Sequence, residues 1–165
     1  MDELRQLWAG ALEPVRKDLL GPHVSARTRA FLTAVGLPRA NRLDFAFYHD
    51  ERLLAPVERA GREYFVFGDS TGTVLFGVEA GRDAVCTLHP DGPFMFVNAS
   101  IEAFLYCYGE FTRVVDAIVE TPFADRAPML AELRARIDAR DPDALDPDGL
   151  LSAWDDILEP YGELR

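Results

Sequence analysis

The stretch EYFVFGDSTGTVLFGVEAGRDAVCTLHPDGPFMFVN, residues 63–98, decides the fold because it holds four strand-like segments in a row. The segments are EYFVF, TVLFGV, AVCTLH and FMFVN, and they are separated by GDSTG, EAGRD and PDGP. Short connections rich in glycine and aspartate join neighbouring antiparallel strands. The pattern therefore predicts an antiparallel β-meander. Its first two strands are apolar on both faces, which predicts that this part of the sheet is covered on both sides.

The segments before the meander begin helical and then become strand-like. Apolar residues recur with a helical period from Leu4 to Leu19, interrupted at Pro14, and a second short helix is predicted to begin after Ser25 as its N-cap. The following segment, LDFAFY at 43–48, alternates in the manner of a strand. A short partner strand is predicted around Leu53 and Leu54.

Three helices are predicted after the meander. The segment after Asn98 predicts a long helix capped by Ser100, which should lie on the sheet. A shorter helix is predicted around 126–139, with Glu132 and Arg136 spaced for an i,i+4 ion pair. The last helix is predicted to use Asp146 as its cap and Pro147 as its first residue. Its predicted buried residues are Leu150, Leu151, Trp154, Ile157 and Leu158.

The order of helices, meander and helices predicts an α+β fold. Its antiparallel meander sheet should carry N-terminal helices and a C-terminal group of helices. We expect residues 1–165 to form a single domain, because no linker divides them and this length can bury a core without disulfides. No apolar run approaches the ~18 residues of a membrane span, and the N-terminus does not resemble a secretory signal. We therefore expect a cytoplasmic protein in which Cys86 and Cys107 are free core thiols.

The net charge of −11 is unevenly distributed along the chain. Residues 1–62 carry 8 acidic and 10 basic residues, a net +2, whereas residues 63–165 carry 20 acidic and 7 basic residues, a net −13. The electric field of such an acidic segment repels nucleic acid and favours a basic protein partner. The alternative is that the acidic surface only keeps the protein soluble. Nothing in the pattern indicates direct contact with nucleic acid or membrane.

GDSTG at 68–72 matches the G-x-S-x-G pattern of a hydrolase nucleophile elbow, which would make Ser70 a nucleophile. Asp83 and His89 could nominally complete a triad. An elbow, however, needs a helix after the serine to help form the oxyanion hole, and here the strand-like TVLFGV follows. The segment is better interpreted as a hairpin turn. A hydrolase using Ser70 is kept as a remote alternative.

The sequence indicates neither a metal site nor a cofactor. Its histidines and cysteines show none of the spacings CxxC, HxxxH or HExxH, and GDSTGT lacks the G-K-[ST] ending of a phosphate-binding loop. The run DPDALDPDG at 141–149 lacks the alternating ligands and terminal glutamate of a calcium loop. The protein is therefore expected to be non-catalytic and to need no cofactor or metal.

Four segments together resemble a known family. They are GLP at 36–38, YFVFG at 64–68, GTVLFGVEAGRDAV at 72–85 and FVNASIEAFLYCYGEF at 96–111. In order and spacing they are similar to the SUKH-4 branch of the SUKH (SMI1/KNR4-related) superfamily, over roughly residues 30–112. Two positions depart from the family pattern, since Ala99 stands where a serine is usual and Glu79 where aspartate is commoner.

The resemblance implies an immunity protein of a bacterial polymorphic toxin system. Such a protein binds a cognate toxin and blocks it, and the toxins are frequently nucleases or nucleic-acid deaminases with basic substrate channels. The competing interpretation is a cellular regulatory or scaffold domain of the SMI1/KNR4 type. The sequence leaves the oligomeric state open.

The predicted toxin contacts are carboxylates at the hairpin tips, where interaction residues often concentrate: Asp69, Glu79, Asp83 and Asp91. Reversing Asp69, Asp83 and Asp91 to lysine is expected to slow association with a basic toxin and to leave the fold intact. The acidic helices after residue 116 are an alternative contact surface.

Overall fold

The computed structural model describes residues 2–92, 94–147 and 151–162, and it has an α+β fold in which helices lie against a mixed sheet. The helices are α1 (Asp2–Leu7), α2 (Ala26–Ala34), α3 (Ile101–Glu120), α4 (Ala127–Arg140) and α5 (Ala153–Leu158). The strands are β1 (Leu12–Glu13), β2 (Leu37–Pro38), β3 (Phe45–Phe47), β4 (Val57–Arg59), β5 (Arg62–Ser70), β6 (Val74–Glu79), β7 (Val85–Leu88), β8 (Met95–Asn98) and β9 (Leu151–Ser152).

The predicted meander is present as β5, β6, β7 and β8, which pair consecutively in antiparallel fashion. Strand β3 pairs with the other edge of β5, and β4 forms a separate hairpin with β5. At the far edge β9 pairs with β8 in parallel, so that the sheet is mixed. The α+β prediction is confirmed, and β9 is an addition to it.

Helix α3 covers one face of the sheet. It begins where it was predicted, because the Ser100 hydroxyl accepts a hydrogen bond from the Ala103 N–H at 3.2 Å. Phe104 is fully buried and its ring stacks on Tyr108, with ring centroids 5.5 Å apart. Both rings also contact the Phe45 ring of β3. An aromatic cluster therefore holds the helix on the sheet.

A buried polar network joins the end of β8 to the C-terminal helices. The Asp141 carboxylate accepts hydrogen bonds from the Asn98 side-chain amide and the Ala99 N–H, both at 2.8 Å. The Trp154 indole N–H donates to the Asn98 side-chain carbonyl at 3.2 Å. Because all of these groups are paired, burying them stabilises one arrangement of the helices. Asn98, within the motif that carried the family resemblance, thus has a role in the fold.

The second and fourth helices agree with their predictions. Ser25 caps α2 by accepting from the Thr28 N–H at 3.0 Å. In α4 the guanidinium of Arg136 pairs with Glu132 at 2.7 Å, as the i,i+4 spacing predicted.

The helical segment predicted from Leu4 to Leu19, with an interruption at Pro14, was wrong in extent, because its helix ends well before Pro14. Helix α1 ends at Leu7, and Ala9 and Gly10 follow with φ values of 47° and 75°. This left-handed backbone stops a helix, and the chain turns into β1, which pairs with β2. The indole N–H of Trp8 donates a hydrogen bond to the Leu105 carbonyl of α3 at 2.9 Å. This bond holds the end of α1 against α3.

The prediction of a strand around Leu53 and Leu54 was also wrong. The Asp50 carboxylate accepts from the Arg52 N–H at 3.1 Å and starts a 3₁₀ turn over Glu51–Leu53. This turn buries Leu53 completely and contacts β5.

The last helix begins later than predicted. Ser152, rather than Asp146, is its N-cap, and its hydroxyl accepts from the Trp154 N–H at 3.1 Å. Because Leu151 pairs with β8, it is extended, and it is 59% exposed instead of buried. Trp154 and Leu158 are buried as predicted and Ile157 is half-buried. Leu150 lies outside the described residues.

No helix in the described ranges is both long and apolar enough to cross a membrane.

Candidate functional site

The four predicted toxin contacts lie at two opposite ends of the sheet. In a meander, successive connections alternate between the ends. The β5–β6 turn and the β7–β8 loop therefore share one end, with Asp69 and Asp91, which we call the cleft end. The β6–β7 turn lies at the opposite end, with Glu79 and Asp83. The structure thus does not bring the four carboxylates together.

Asp69 is 9% exposed and holds the β5–β6 turn. Its carboxylate accepts from the Tyr48 hydroxyl and from the Gly72 N–H, both at 2.7 Å. Thr71 and Gly72 have φ values of 56° and 73°, the left-handed pair of a two-residue hairpin turn. Burial, followed by the bond to Asp69, raises the pKa of Tyr48 to about 12. Asp69 therefore stabilises the turn from within the fold.

The two carboxylates at the opposite end are also engaged. Glu79 is buried and pairs with Arg62 at 3.1 Å and with Arg82 at 3.6 Å, so that its charge is compensated. Asp83 is half-buried and accepts hydrogen bonds from the hydroxyls of Ser25 and, at 2.7 Å, Thr28. Through these two bonds Asp83 ties the β6–β7 turn to the first turn of α2.

Asp91 is the one exposed residue of the four. It lies in the β7–β8 loop, between His89 and β8, and has no ion-pair partner among the described residues. Its carboxylate is therefore free to contact a partner.

A cleft of about 320 Å³ opens at the same end of the sheet. Its floor is apolar and draws on β3, β6, β8 and α3, with Phe45, Phe76, Met95, Tyr108 and Phe111 among its residues. Asp44, Ser70, His89 and Asp156 are its polar residues nearer the surface. This volume is at the lower end of the ~300–1,000 Å³ typical of ligand pockets.

Two aspartates give the cleft its charge. Asp44 and Asp156 are exposed, and neither forms an ion pair in the part of the chain that the structure describes. The Asp44 carbonyl accepts from the Thr71 N–H at 2.9 Å, which fixes this rim against the β5–β6 turn. No arginine or lysine within the described ranges lines the cleft.

One polar group inside the cleft lacks a partner. Thr87 of β7 is 4% exposed, and its buried hydroxyl makes no hydrogen bond with any described residue. By contrast, the Tyr108 hydroxyl donates to the Arg42 carbonyl at 2.9 Å, and burial raises its pKa above the ordinary range. A buried hydroxyl without a partner is destabilising, which makes Thr87 a candidate ligand-binding group.

Ser70 does not have the surroundings of an elbow nucleophile. It ends β5, and the turn after it leads into β6 rather than a helix, as the sequence indicated. His89 also lines the cleft, but Asp83 precedes β7 while His89 follows it, so that the strand separates them. The nominal triad is therefore not assembled.

The two cysteines are free and buried, as predicted. Burial raises the pKa of the Cys86 thiol to about 11 and that of Cys107 to about 12, so both remain protonated at neutral pH. Within residues 2–92, 94–147 and 151–162 no three His, Cys, Asp or Glu side chains are grouped to hold a metal ion.

Sequence reasoning missed the cleft residues Asp44, Thr87 and Asp156. Thr87 occupies an ordinary strand position, and Asp156 an ordinary exposed position of the last helix. No local pattern could have indicated that they meet, because they come from three distant segments.

The fold and the cleft define a class of protein, an α+β protein with an acidic-rimmed apolar cleft suited to binding another molecule. A family model for the SUKH-4 immunity protein matches residues 16–160 of the 165-residue chain. The chain belongs to the SUKH-4 immunity protein family, as the resemblance indicated. Membership indicates a toxin-immunity role, exercised by binding a cognate toxin. No curated protein and no solved structure matches the chain.

Proposed function

We propose that this protein neutralises a cognate toxin that acts on nucleic acid, either a nuclease or a nucleic-acid deaminase, by occupying its basic substrate channel. The observation that carries the proposal is that Asp44, Asp91 and Asp156 are exposed at the cleft end and form no ion pair with the described residues. Carboxylates of this kind attract the same basic surface that binds the phosphates of a nucleic acid. The charge also disfavours direct binding of this protein to nucleic acid.

The hairpin carboxylates predicted from the sequence have two different roles in this proposal. Asp91 contacts the toxin directly, since it is exposed and unpaired among the described residues. Asp69 shapes the β5–β6 turn at the cleft end, whereas Glu79 and Asp83 stabilise the β6–β7 turn at the opposite end, because their carboxylates are held by hydrogen bonds or ion pairs. The charge-reversal test is accordingly confined to exposed positions.

Two further proposals concern the chain as a whole. Residues 1–165 act as one domain, which is supported by a buried core that extends from Leu4 of α1 to Leu158 of α5. The protein acts in the cytoplasm of the toxin-producing cell, which is supported by its two free, buried cysteines.

The test is co-expression with the toxin domain encoded by the neighbouring gene, scored by rescue of growth and by co-purification. We expect both, and we expect purified toxin to lose its nuclease or deaminase activity in the complex. Absence of rescue together with absence of co-purification would overturn the immunity assignment. Rescue from a toxin without activity on nucleic acid would overturn only the choice of toxin class.

A matched pair of charge reversals tests the contact surface. Asp91→Lys should slow association with the toxin by about tenfold at low salt, because electrostatic attraction sets the encounter rate. Glu58→Lys is the control. Glu58 is exposed on β4, opposite Glu63 of β5, and its replacement by lysine changes the net charge by the same amount as Asp91→Lys. Equal association rates for the two variants would contradict the surface assignment.

A further inference from the structure

The cleft combines three features that together specify one kind of occupant. Its floor is aromatic, and the ring centroids of Phe76 and Tyr108 lie 4.8 Å and 5.3 Å from that of Phe45. A floor of this type binds the apolar stem of a side chain and also attracts a cation over a ring face.

The second feature is the rim, which carries negative charge without compensation. Asp44 and Asp156 line the cleft, are exposed and form no ion pair with the described residues, in contrast to Glu79 at the opposite end of the sheet. A cation that enters the cleft therefore meets carboxylates that are not already neutralised.

The third feature is the Thr87 hydroxyl. It is buried, belongs to a residue that lines the cleft and has no partner among the described residues, so its lone pairs are not already used by another donor. A neutral apolar side chain would leave this hydroxyl and both carboxylates without partners. A lysine would supply one compact ammonium, whereas a guanidinium is planar, stacks on aromatic rings and offers five N–H donors.

We propose that this cleft is the specificity pocket of the immunity protein and receives one arginine side chain of the cognate toxin. The arginine stem lies over the aromatic floor, and its guanidinium faces the carboxylates of Asp44 and Asp156 and donates to the Thr87 hydroxyl. The inference rests on the proposed function, because it names the group by which the toxin is recognised. An arginine that binds substrate phosphates in the toxin would be sequestered by this contact.

The affinity of the toxin domain is measured for the wild-type protein and for three variants. Asp156→Asn and Asp44→Asn remove one charge each and should weaken binding by at least about tenfold, mostly through faster dissociation. Asp138→Asn is the matched control, since Asp138 is exposed on α4 and does not line the cleft. It should bind like the wild type.

Thr87→Val supplies an independent arm, because valine has nearly the shape of threonine without its hydroxyl. We expect this variant to bind the toxin at least about fivefold more weakly and to melt no lower than the wild type, since a buried unpaired hydroxyl has been removed. Wild-type affinity in Thr87→Val would overturn the role of the hydroxyl. A lower melting temperature would contradict its being unpaired in the free protein.

Double-mutant cycles identify the occupant. Each surface arginine, lysine and aromatic residue of the toxin is replaced by alanine and combined with Asp156→Asn, and one arginine should lose its effect in the variant background. Coupling to a lysine or to an aromatic residue instead, or to no residue, would overturn the arginine assignment. If the wild-type protein fails to bind the toxin, the proposed function fails. If the wild type binds and the cleft variants bind equally well, only the pocket inference fails.

Discussion

Replacing Asp69 with alanine should lower the stability of the protein rather than its charge-driven affinity for a toxin. The substitution removes the acceptor of two hydrogen bonds, from the Tyr48 hydroxyl and the Gly72 N–H. Gly72 is exposed, so water can satisfy its N–H at a cost of about 0.5–1 kcal/mol. Tyr48 is buried, and its hydroxyl left unpaired costs about 1–3 kcal/mol.

We therefore expect Asp69→Ala to reduce the free energy of unfolding by about 1.5–4 kcal/mol. In a protein of this size that corresponds to a fall in melting temperature of about 3–16 °C. The assay is urea unfolding followed by circular dichroism. Asp91→Ala is the control at the same end of the sheet. It should change the unfolding free energy by less than about 0.5 kcal/mol because Asp91 is exposed.

A double-mutant cycle with Tyr48→Phe tests the reason for the loss. In the wild-type background this substitution removes a hydrogen bond to a carboxylate, but in Asp69→Ala it removes an already unpaired hydroxyl. It should therefore be costly in the first background and nearly neutral in the second. Equal costs in both backgrounds, or an Asp69→Ala variant as stable as Asp91→Ala, would refute the role assigned to this carboxylate.

Three other predictions follow from buried polar and titratable groups. Asp141→Ala should lower the unfolding free energy by about 3 kcal/mol, because the buried Asn98 amide and the Ala99 N–H lose their acceptor. An unfolding free energy in urea equal to that of the wild type would contradict this expectation for Asp141→Ala. Cys86 and Cys107 should resist a thiol reagent at pH 8 until the protein unfolds, since burial raises both pKa values. Labelling of the native protein within minutes would contradict their burial. Burial lowers the pKa of His23 from its ordinary value of 6.5, so the unfolded state takes up a proton first as pH falls. Stability should decrease below about pH 6.5, and His23→Gln should flatten that decrease; an unchanged slope would refute the assignment.

Much of the fold could be predicted because its signals are local. The meander follows from strand-length apolar segments separated by short Gly/Asp turns, and Ser25 and Ser100 cap the helices that follow them. Two of the failures were at ends of elements. Ala9 adopts a left-handed backbone, which nothing in an alanine side chain indicates, and Leu151 is extended because it pairs with β8.

The sequence by itself determined the α+β class, the family and the acidic character of the chain. Only the tertiary structure decided which carboxylates are free. Asp83 is held by Ser25, 58 positions away, whereas Asp44 and Asp156 come from opposite halves of the chain to line one cleft and remain unpaired among the described residues. Periodicity and turn chemistry act over a few residues, but the partner of a side-chain carboxylate is chosen by packing, which brings distant segments together.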